Sequence, residues 1–196
     1  MNRQISLSQY RAIDIGLLTG LMAISQFVIH IAISRWYAEQ TGYIVSPVAA
    51  VTALVMMRWN GWAAIHAALG GILFAVLAGG DAQQIIIYGA GNLLGLAAMV
   101  MFRYPGKERV RSDALMAIFF GLLTQILMQL GRAAVALVFG YPAEALLGFI
   151  TTDILSGLFT LVIIWIVRRI EGLFEDQKNY LLRTQREQKV ERGEQF

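Results

Sequence analysis

The chain has no cysteine and few charged residues. Of its 196 residues none is cysteine, and only 15% are Asp, Glu, Lys or Arg. The absence of cysteine excludes disulfides, thiolate catalysis and cysteine-ligated metals in any compartment. The scarcity of charge goes with 57% hydrophobic residues and a mean hydropathy of +0.59, which is more apolar surface than a soluble core of this size can bury. We therefore expect the lipid bilayer to be the solvent for most of the chain.

The charge that is present favours a membrane protein over a nucleic-acid-binding or secreted one. The net charge is +3, but the basic residues lie in short loops and a C-terminal tail, so no nucleic-acid partner is expected. The first apolar stretch follows a polar N-terminus, residues 1–9, and lacks the short apolar core and the small-residue cleavage site of a signal peptide. We expect this stretch to remain in the mature protein as a membrane span.

Six apolar runs predict an all-α integral membrane fold, a bundle of six transmembrane helices. The second run is short for a full crossing, and only Trp59 and Asn60 separate it from the third, so these two runs are predicted to form a tight helical hairpin. The predicted spans are Arg11–Ser34, Val45–Arg58, Gly61–Gly79, Gln84–Phe102, Ala114–Phe139 and Ala143–Val167.

Basic residues are concentrated in alternate connections between the spans. By the positive-inside rule these connections are cytoplasmic, which predicts that both termini are cytoplasmic. Residues 1–170 are then the membrane domain, and residues 171–196 are a charged, solvated, partly helical cytosolic tail. The remaining connections hold a single basic residue, Arg35. The basic residues of the cytoplasmic side are Arg3, Arg11, Arg58, Arg103, Lys107, Arg109, Arg111, Arg168 and Arg169.

Once these directions are assigned, polar residues of four spans fall at one depth, in the outer half of the bundle. On the fifth span Gln125, Gln129 and Arg132 are spaced i, i+4 and i+7, so they share one helical face. Exposing an arginine to lipid costs about 2.5–3.5 kcal/mol on insertion scales, so Arg132 is expected to face protein or water. The polar residues at this depth on the other spans are Gln26, His30, Gln84, Tyr88, Asn92, Glu144, Thr151, Thr152 and Asp153.

This pattern predicts a polar chamber that opens to the outside and is sealed below by aliphatic packing, a common form of small-molecule site. Two structural alternatives remain open. The polar groups could simply join helices through hydrogen bonds, and Arg132 could pair with Asp153 or Glu144 without any ligand. The two histidines, His30 and His66, lie in opposite halves and cannot share a metal, so no metal site is expected.

Two groups of small residues predict close approach between helices. Gly89, Gly91 and Gly95 resemble a phosphate loop, but no strand precedes them, so helix packing is the better interpretation. Ala12, Gly16 and Gly20 recur every fourth residue on the first span and form a flat groove for another helix. That helix is either part of the bundle or part of another protein.

Together these features resemble the substrate-binding S-component of energy-coupling factor (ECF) transporters, the vitamin-importing relatives of ABC transporters. The resemblance runs from Ser8 to about Arg169. It rests on the length of 196 residues, the six helices with both ends inside, the small-residue repeat and the compact second and third spans. It implies a protein of the bacterial plasma membrane that binds a vitamin or similar micronutrient. It also implies that Ala12, Gly16 and Gly20 dock on a membrane coupling subunit driven by two ATPases.

The resemblance further implies the parts of the site. The short second helix and the first loop, Arg35–Val45, would be its gate, and Arg132 could hold a carboxylate or phosphate of the ligand. The chain has no P-loop and no catalytic set of its own, so it is expected to be neither an enzyme nor a cofactor-binding protein. The pocket residues would be Tyr88, Asn92, Gln125, Gln129, Arg132 and Asp153, and the rim residues Gln84, His30, Trp36 and Glu144.

Three other functions compete with this one. A membrane-embedded lipid or prenyl enzyme would need clustered carboxylates near the cytoplasmic face, where Asp14 stands alone within the spans. A small stand-alone carrier would be favoured by inverted repeats, but the first three and last three spans show no evident correspondence. A purely structural subunit would leave the outer polar residues without a role.

Overall fold

The computed structural model describes residues 6–36, 45–151 and 153–191. Over these residues the chain is helical and has no strand, which confirms the all-α prediction. By length and composition alone, five helical segments of the described residues are long and apolar enough to cross a membrane, as expected for a multi-pass membrane protein. The count of six crossings and the cytoplasmic location of the termini stay predictions. The five segments are Leu7–Arg35, Val48–Leu77, Ala82–Phe102, Ala114–Val138 and Leu147–Val167.

The described residues form nine α-helices and two 3-10 segments, Asn60–Ala63 and Asn92–Phe102. The α-helices are α1 (Leu7–Trp36), α2 (Val48–Trp59), α3 (Ala64–Leu77), α4 (Ala82–Gly91), α5 (Lys107–Ser112), α6 (Ala114–Val138), α7 (Ala143–Thr151), α8 (Ile154–Val167) and α9 (Gln177–Glu191). Residues 37–44, most of the predicted gate loop, lie outside the described residues.

The second long segment reverses direction at Asn60, which has a φ of +53° and follows the last residue of α2. The start of α2 lies against the middle of α3, because a Cβ built on Gly70 would be 2.7 Å from Cγ1 of Val48. The two helices are therefore antiparallel, as the predicted hairpin requires. At 1.5 Å per residue, α2 is about 18 Å long and is too short to cross the hydrocarbon core alone.

Helix α2 is central and α1 is peripheral. All residues of α2 except Val51 are buried, as expected for a helix that is apolar on every side. Helix α1 instead exposes a continuous apolar face that suits contact with lipid. The exposed large side chains of this face are Ile13, Leu17, Leu21, Ile24, Phe27, Val28 and Ile31.

Glycines let α4 and α6 cross in backbone contact. A Cβ on Gly91 would lie 2.6 Å from Cα of Arg132, and a Cβ on Gly131 would overlap the carbonyl oxygen of Gly91. Gly95 lies in the 3-10 segment that follows α4, and a Cβ on it would be 2.7 Å from Cγ of Met128 on α6. The predicted close packing at Gly91 and Gly95 is therefore confirmed, and Gly89 likewise lies close to Ile72.

The predicted sixth span, Ala143–Val167, is not one helix. Helix α7 ends at Thr151 and α8 begins at Ile154, and Asp153 lies between them with φ −102° and ψ 14°. Asp and Thr side chains compete with the helical hydrogen bonds of their own backbone, so a Thr-Thr-Asp sequence favours a break. The break places Asp153 at a helix junction; Thr152 lies outside the described residues.

The start of the tail is packed against the other end of the bundle, unlike the solvated extension predicted. Phe174, Glu175 and Gln177 are buried. Nη1 of Arg58 donates to the carbonyl oxygens of Gly172 at 2.8 Å and Leu173 at 2.9 Å. The buried guanidinium of Arg58 therefore holds the start of the tail against the bundle. The pattern of charges in the sequence does not reveal this contact, because the acceptors are backbone carbonyls.

Candidate functional site

The candidate site begins with the polar face of α6. Gln125, Gln129 and Arg132 are all buried, with exposed fractions of 4%, 6% and 5%. Their exposed neighbours on the helix, such as Ile126 and Leu130, are apolar. The predicted sharing of one inward face is therefore confirmed.

Arg132 is held by contacts from three sides. Its Nη1 donates to Oδ2 of Asp153 at 2.8 Å, and its Nε donates to Oδ1 of Asn92 at 2.7 Å. Its guanidinium carbon lies 4.8 Å from the centre of the Tyr88 ring, a cation–π contact. The partner of Arg132 is thus Asp153 and not Glu144, which is exposed.

Asp153 uses only one of its carboxylate oxygens among the described residues. Oδ2 accepts from Arg132 and also from Nε2 of Gln125 at 2.7 Å. Oδ1 is buried and has no hydrogen-bond partner in the described part of the chain. Burying a polar atom without a partner costs about 1–3 kcal/mol, so this oxygen is a place where a donor would be stabilising.

Asn92 links the arginine to a further helix. Its Nδ2 donates to the carbonyl oxygen of Ala67 at 3.1 Å, while its Oδ1 accepts from Arg132. The approach of α3 depends on Gly71, since a Cβ there would lie 2.6 Å from Nδ2 of Asn92. Both groups of the amide are therefore used, and the side chain is fixed between α3 and α6.

Tyr88 gives the site an aromatic wall. Its ring centre lies 4.9 Å from that of Phe74 and 6.0 Å from that of Phe149, so α3, α4 and α7 each contribute a ring. Offset and edge contacts of this kind hold aromatic side chains in place.

We call the five residues of this site the Arg132 cluster: Tyr88, Asn92, Gln125, Arg132 and Asp153.

The other predicted site residues stand apart from the Arg132 cluster. Gln129 is buried on the same face of α6, and no hydrogen bond joins its side chain to the described residues. Gln84 and Glu144 are exposed, and His30 is half-buried on α1. The side chain of Trp36 lies outside the described residues. None of these rim residues is joined to the cluster by an ion pair or hydrogen bond within the described structure.

A second polar junction in the bundle includes two residues that the sequence did not single out, Ser46 and Ser156. Oγ of Ser46 donates to Oε1 of Gln26 at 2.9 Å, and the backbone N–H of Ser46 donates to Oγ of Ser156 at 2.9 Å. This junction ties α1 and α8 to the start of α2. Ser46 precedes Pro47 at that helix start, which is a recognisable sequence signal.

Asp14, which the sequence places alone among carboxylates within the spans of the opposite half, is fully engaged in the structure. Arg58 donates to it twice, from Nε at 2.8 Å and Nη2 at 2.7 Å, and Nε1 of Trp59 donates at 2.5 Å. Nearby, His66 is buried with its Nε2 3.1 Å from Oγ1 of Thr19. Among the described residues no three His, Asp or Glu side chains are grouped so as to hold a metal.

The Arg132 cluster brings together the kinds of group that small-molecule sites use. It combines a fixed cation, an unfilled carboxylate oxygen and an aromatic face within the bundle, and it offers directional contacts in an apolar surrounding. Comparison of the chain with protein-family models, curated proteins and solved structures finds no match.

Proposed function

We propose that this chain is the substrate-capture subunit of an ECF-type importer in a bacterial plasma membrane. In this proposal it binds a vitamin or related micronutrient in the outer half of a six-span bundle with both termini in the cytoplasm. It then passes the ligand to a membrane coupling subunit and two ATPases. The observation that supports this most is the Arg132 cluster, in which buried polar groups from the 3-10 segment, α6 and the α7–α8 junction converge with the half-buried Tyr88 of α4.

The unfilled hydrogen-bonding capacity favours a ligand over a purely structural role. A strut between helices needs only the Arg132–Asp153 pair, which neutralises both charges. The cluster also buries Oδ1 of Asp153 without a described partner, and Gln129, buried on the inward face of α6, makes no side-chain hydrogen bond to the described residues. A ligand donor to Asp153, an amide contact to Gln129 and a ring against Tyr88 would satisfy these groups.

The exposed face of α1 that carries Ala12, Gly16 and Gly20 supports the coupling part of the proposal. Ala12, Gly16 and Gly20 are exposed, and a Cβ built on either glycine would meet no atom within 4 Å. Within the described structure the groove is therefore not filled by the bundle itself. Small residues on an exposed membrane-helix face allow a helix of another protein to approach closely.

Ligand capture is tested by isolating the protein, identifying the copurified small molecule by mass spectrometry, and measuring its affinity in detergent. Gln129→Ala should weaken binding by tenfold or more, because it removes an amide without touching the ion pair. Arg132→Ala should weaken binding further. Gln83→Ala, the same change at an exposed position of α4, is the control. Unchanged affinity in both site variants would reject the pocket.

Coupling is tested separately by copurification. Gly16→Leu or Gly20→Leu should release the coupling subunit and ATPases while leaving ligand affinity intact, because these residues lie on α1 away from the Arg132 cluster. Gly157→Leu on α8 is a matched control, since a Cβ there also meets nothing within 4 Å. A chain that purifies alone and transports by itself would contradict the proposal.

A further inference from the structure

A cavity of about 520 Å³ opens at the end of the bundle that carries Arg58. It lies between the start of α1, the turn that joins α2 to α3, and the docked start of the tail. The Arg132 cluster contributes nothing to its walls. The residues that give this cavity its character are Leu7, Arg11, Trp59, Trp62, Ile65 and Lys178.

The walls carry an excess of positive charge. Four charged residues line the cavity, and two of them form ion pairs. Arg58 pairs with Asp14 at 2.7 Å, and Asp176 pairs with Lys107 at 2.6 Å. Arg11 and Lys178 line the cavity and form no ion pair with a carboxylate among the described residues. Two cations that converge on one cavity from α1 and α9 suit an anion with several oxygens, such as a phosphate.

The mouth of the cavity is aromatic and aliphatic. Trp62 is 48% exposed, Leu7 43% and Ile65 36%. The guanidinium carbon of Arg11 lies 4.4 Å from the centre of a Trp62 ring, so the cation and the indole form one surface. Tryptophan, arginine and exposed aliphatic side chains at the end of membrane-capable helices are typical of the zone where lipid headgroups lie.

We propose that this cavity binds the headgroup of an anionic phospholipid. Its phosphate would lie between Arg11 and Lys178, the glycerol part against Trp62, and an acyl chain along Leu7 and Ile65. Charge complementarity selects the anionic headgroup, and the apolar mouth selects a lipid over a soluble phosphate. Because Arg11 belongs to α1 and Lys178 to α9, a bound lipid would hold the tail against the first helix. This inference depends on a membrane location and not on the transport proposal.

The test uses the full-length protein in a nonionic detergent, with binding measured by native mass spectrometry and by the shift in melting temperature. The probes are dioctanoyl phosphatidylglycerol, dioctanoyl phosphatidylcholine of the same chain length, and glycerol phosphate. We expect phosphatidylglycerol to bind most tightly. Arg11→Gln and Lys178→Gln should each weaken it about fivefold, the contribution of one basic residue near an anionic lipid.

Arg103→Gln and Arg109→Gln are the matched controls, since they remove exposed cations that do not line the cavity. Loss of binding in the controls equal to that in the cavity variants would show an unspecific charge effect and overturn the proposal. Equal affinity for the two lipids would do the same, as would glycerol phosphate binding as tightly as phosphatidylglycerol. Lys178→Gln changes an exposed side chain, so it tests the site even if Arg11→Gln fails to fold.

Discussion

Replacing Asp153 by asparagine changes the Arg132 cluster by a single charge. The variant keeps the size and shape of the side chain but removes the anion that faces Arg132 at 2.8 Å. Arg132 and Asp153 are only 5% and 2% exposed, so little solvent can compensate. The contacts of Arg132 with Asn92 and Tyr88 are the same before and after the change, so they do not offset the loss of the anion.

The expected cost follows from this burial. Removing one partner of a buried ion pair typically costs about 3–5 kcal/mol, because the remaining charge is left desolvated. Removing both charges is far less costly, and an apolar replacement of a whole buried pair is often nearly neutral. We therefore expect Asp153→Asn to lose about 3–5 kcal/mol, and Arg132→Met combined with Asp153→Asn to recover at least about 2 kcal/mol of that loss.

Unfolding by sodium dodecyl sulfate in mixed micelles, followed by tryptophan fluorescence, measures these differences. Glu144→Gln removes an exposed carboxylate of α7 and should change the unfolding free energy by less than about 0.5 kcal/mol. The reasoning is refuted if Asp153→Asn costs less than about 1 kcal/mol, or if the double variant is as unstable as Asp153→Asn alone. Either result would mean that the pair does not carry the charge balance of the cluster.

The helix crossing, the docked tail and a half-buried lysine give three further expectations. Gly91→Ala should destabilise the protein by about 1–3 kcal/mol, because its Cβ would lie 2.6 Å from the Arg132 backbone, whereas Gly157→Ala should not; the same unfolding assay compares them. Arg58→Lys should loosen the tail and speed limited proteolysis near residue 172, because lysine cannot reproduce the Asp14 and carbonyl contacts together; Arg103→Lys should cleave like the native chain. Burial lowers the pKa of Lys107, so the unfolded chain binds more protons and stability should rise with pH towards the ordinary lysine pKa. Lys107→Gln should flatten that rise, and a fall in stability of the native chain relative to the variant over the same range would contradict the stated pKa direction.

Much of the fold follows from short-range patterns in the sequence. Apolar run lengths predict the membrane-capable helices, and the i, i+4, i+7 spacing predicts that Gln125, Gln129 and Arg132 are buried on one face. The glycines at 89, 91 and 95 predict close packing, because the absence of a Cβ lets a neighbouring helix approach closely, whichever helix it is. These signals need no knowledge of which helices are neighbours.

Long-range choices could not be predicted in the same way. The sequence does not decide whether Arg132 pairs with Asp153 or with Glu144. Both carboxylates lie in the next part of the chain, and the break between α7 and α8 determines which of them reaches the arginine. The sequence 151–153 contains the signal for that break, but a continuous apolar pattern on either side conceals it. The docking of residues 172–177 depends on backbone carbonyls that meet Arg58 across 114 and 115 positions of sequence, and no residue type marks such acceptors.

The 3-10 winding of Asn92–Phe102 sets the angular phase of its inward side. Its buried residues, Asn92, Gly95, Ala98 and Met101, recur every third position, which aligns them in one straight row at 120° per residue. At the 100° per residue of an α-helix, the nine steps from Asn92 to Met101 would accumulate a difference of about 180°. If Asn92 kept its bond to Arg132, Met101 would then point away from the core. The winding of this segment therefore makes the side chains at its two ends interdependent: the segment cannot rewind as an α-helix with both Asn92 and Met101 facing inward.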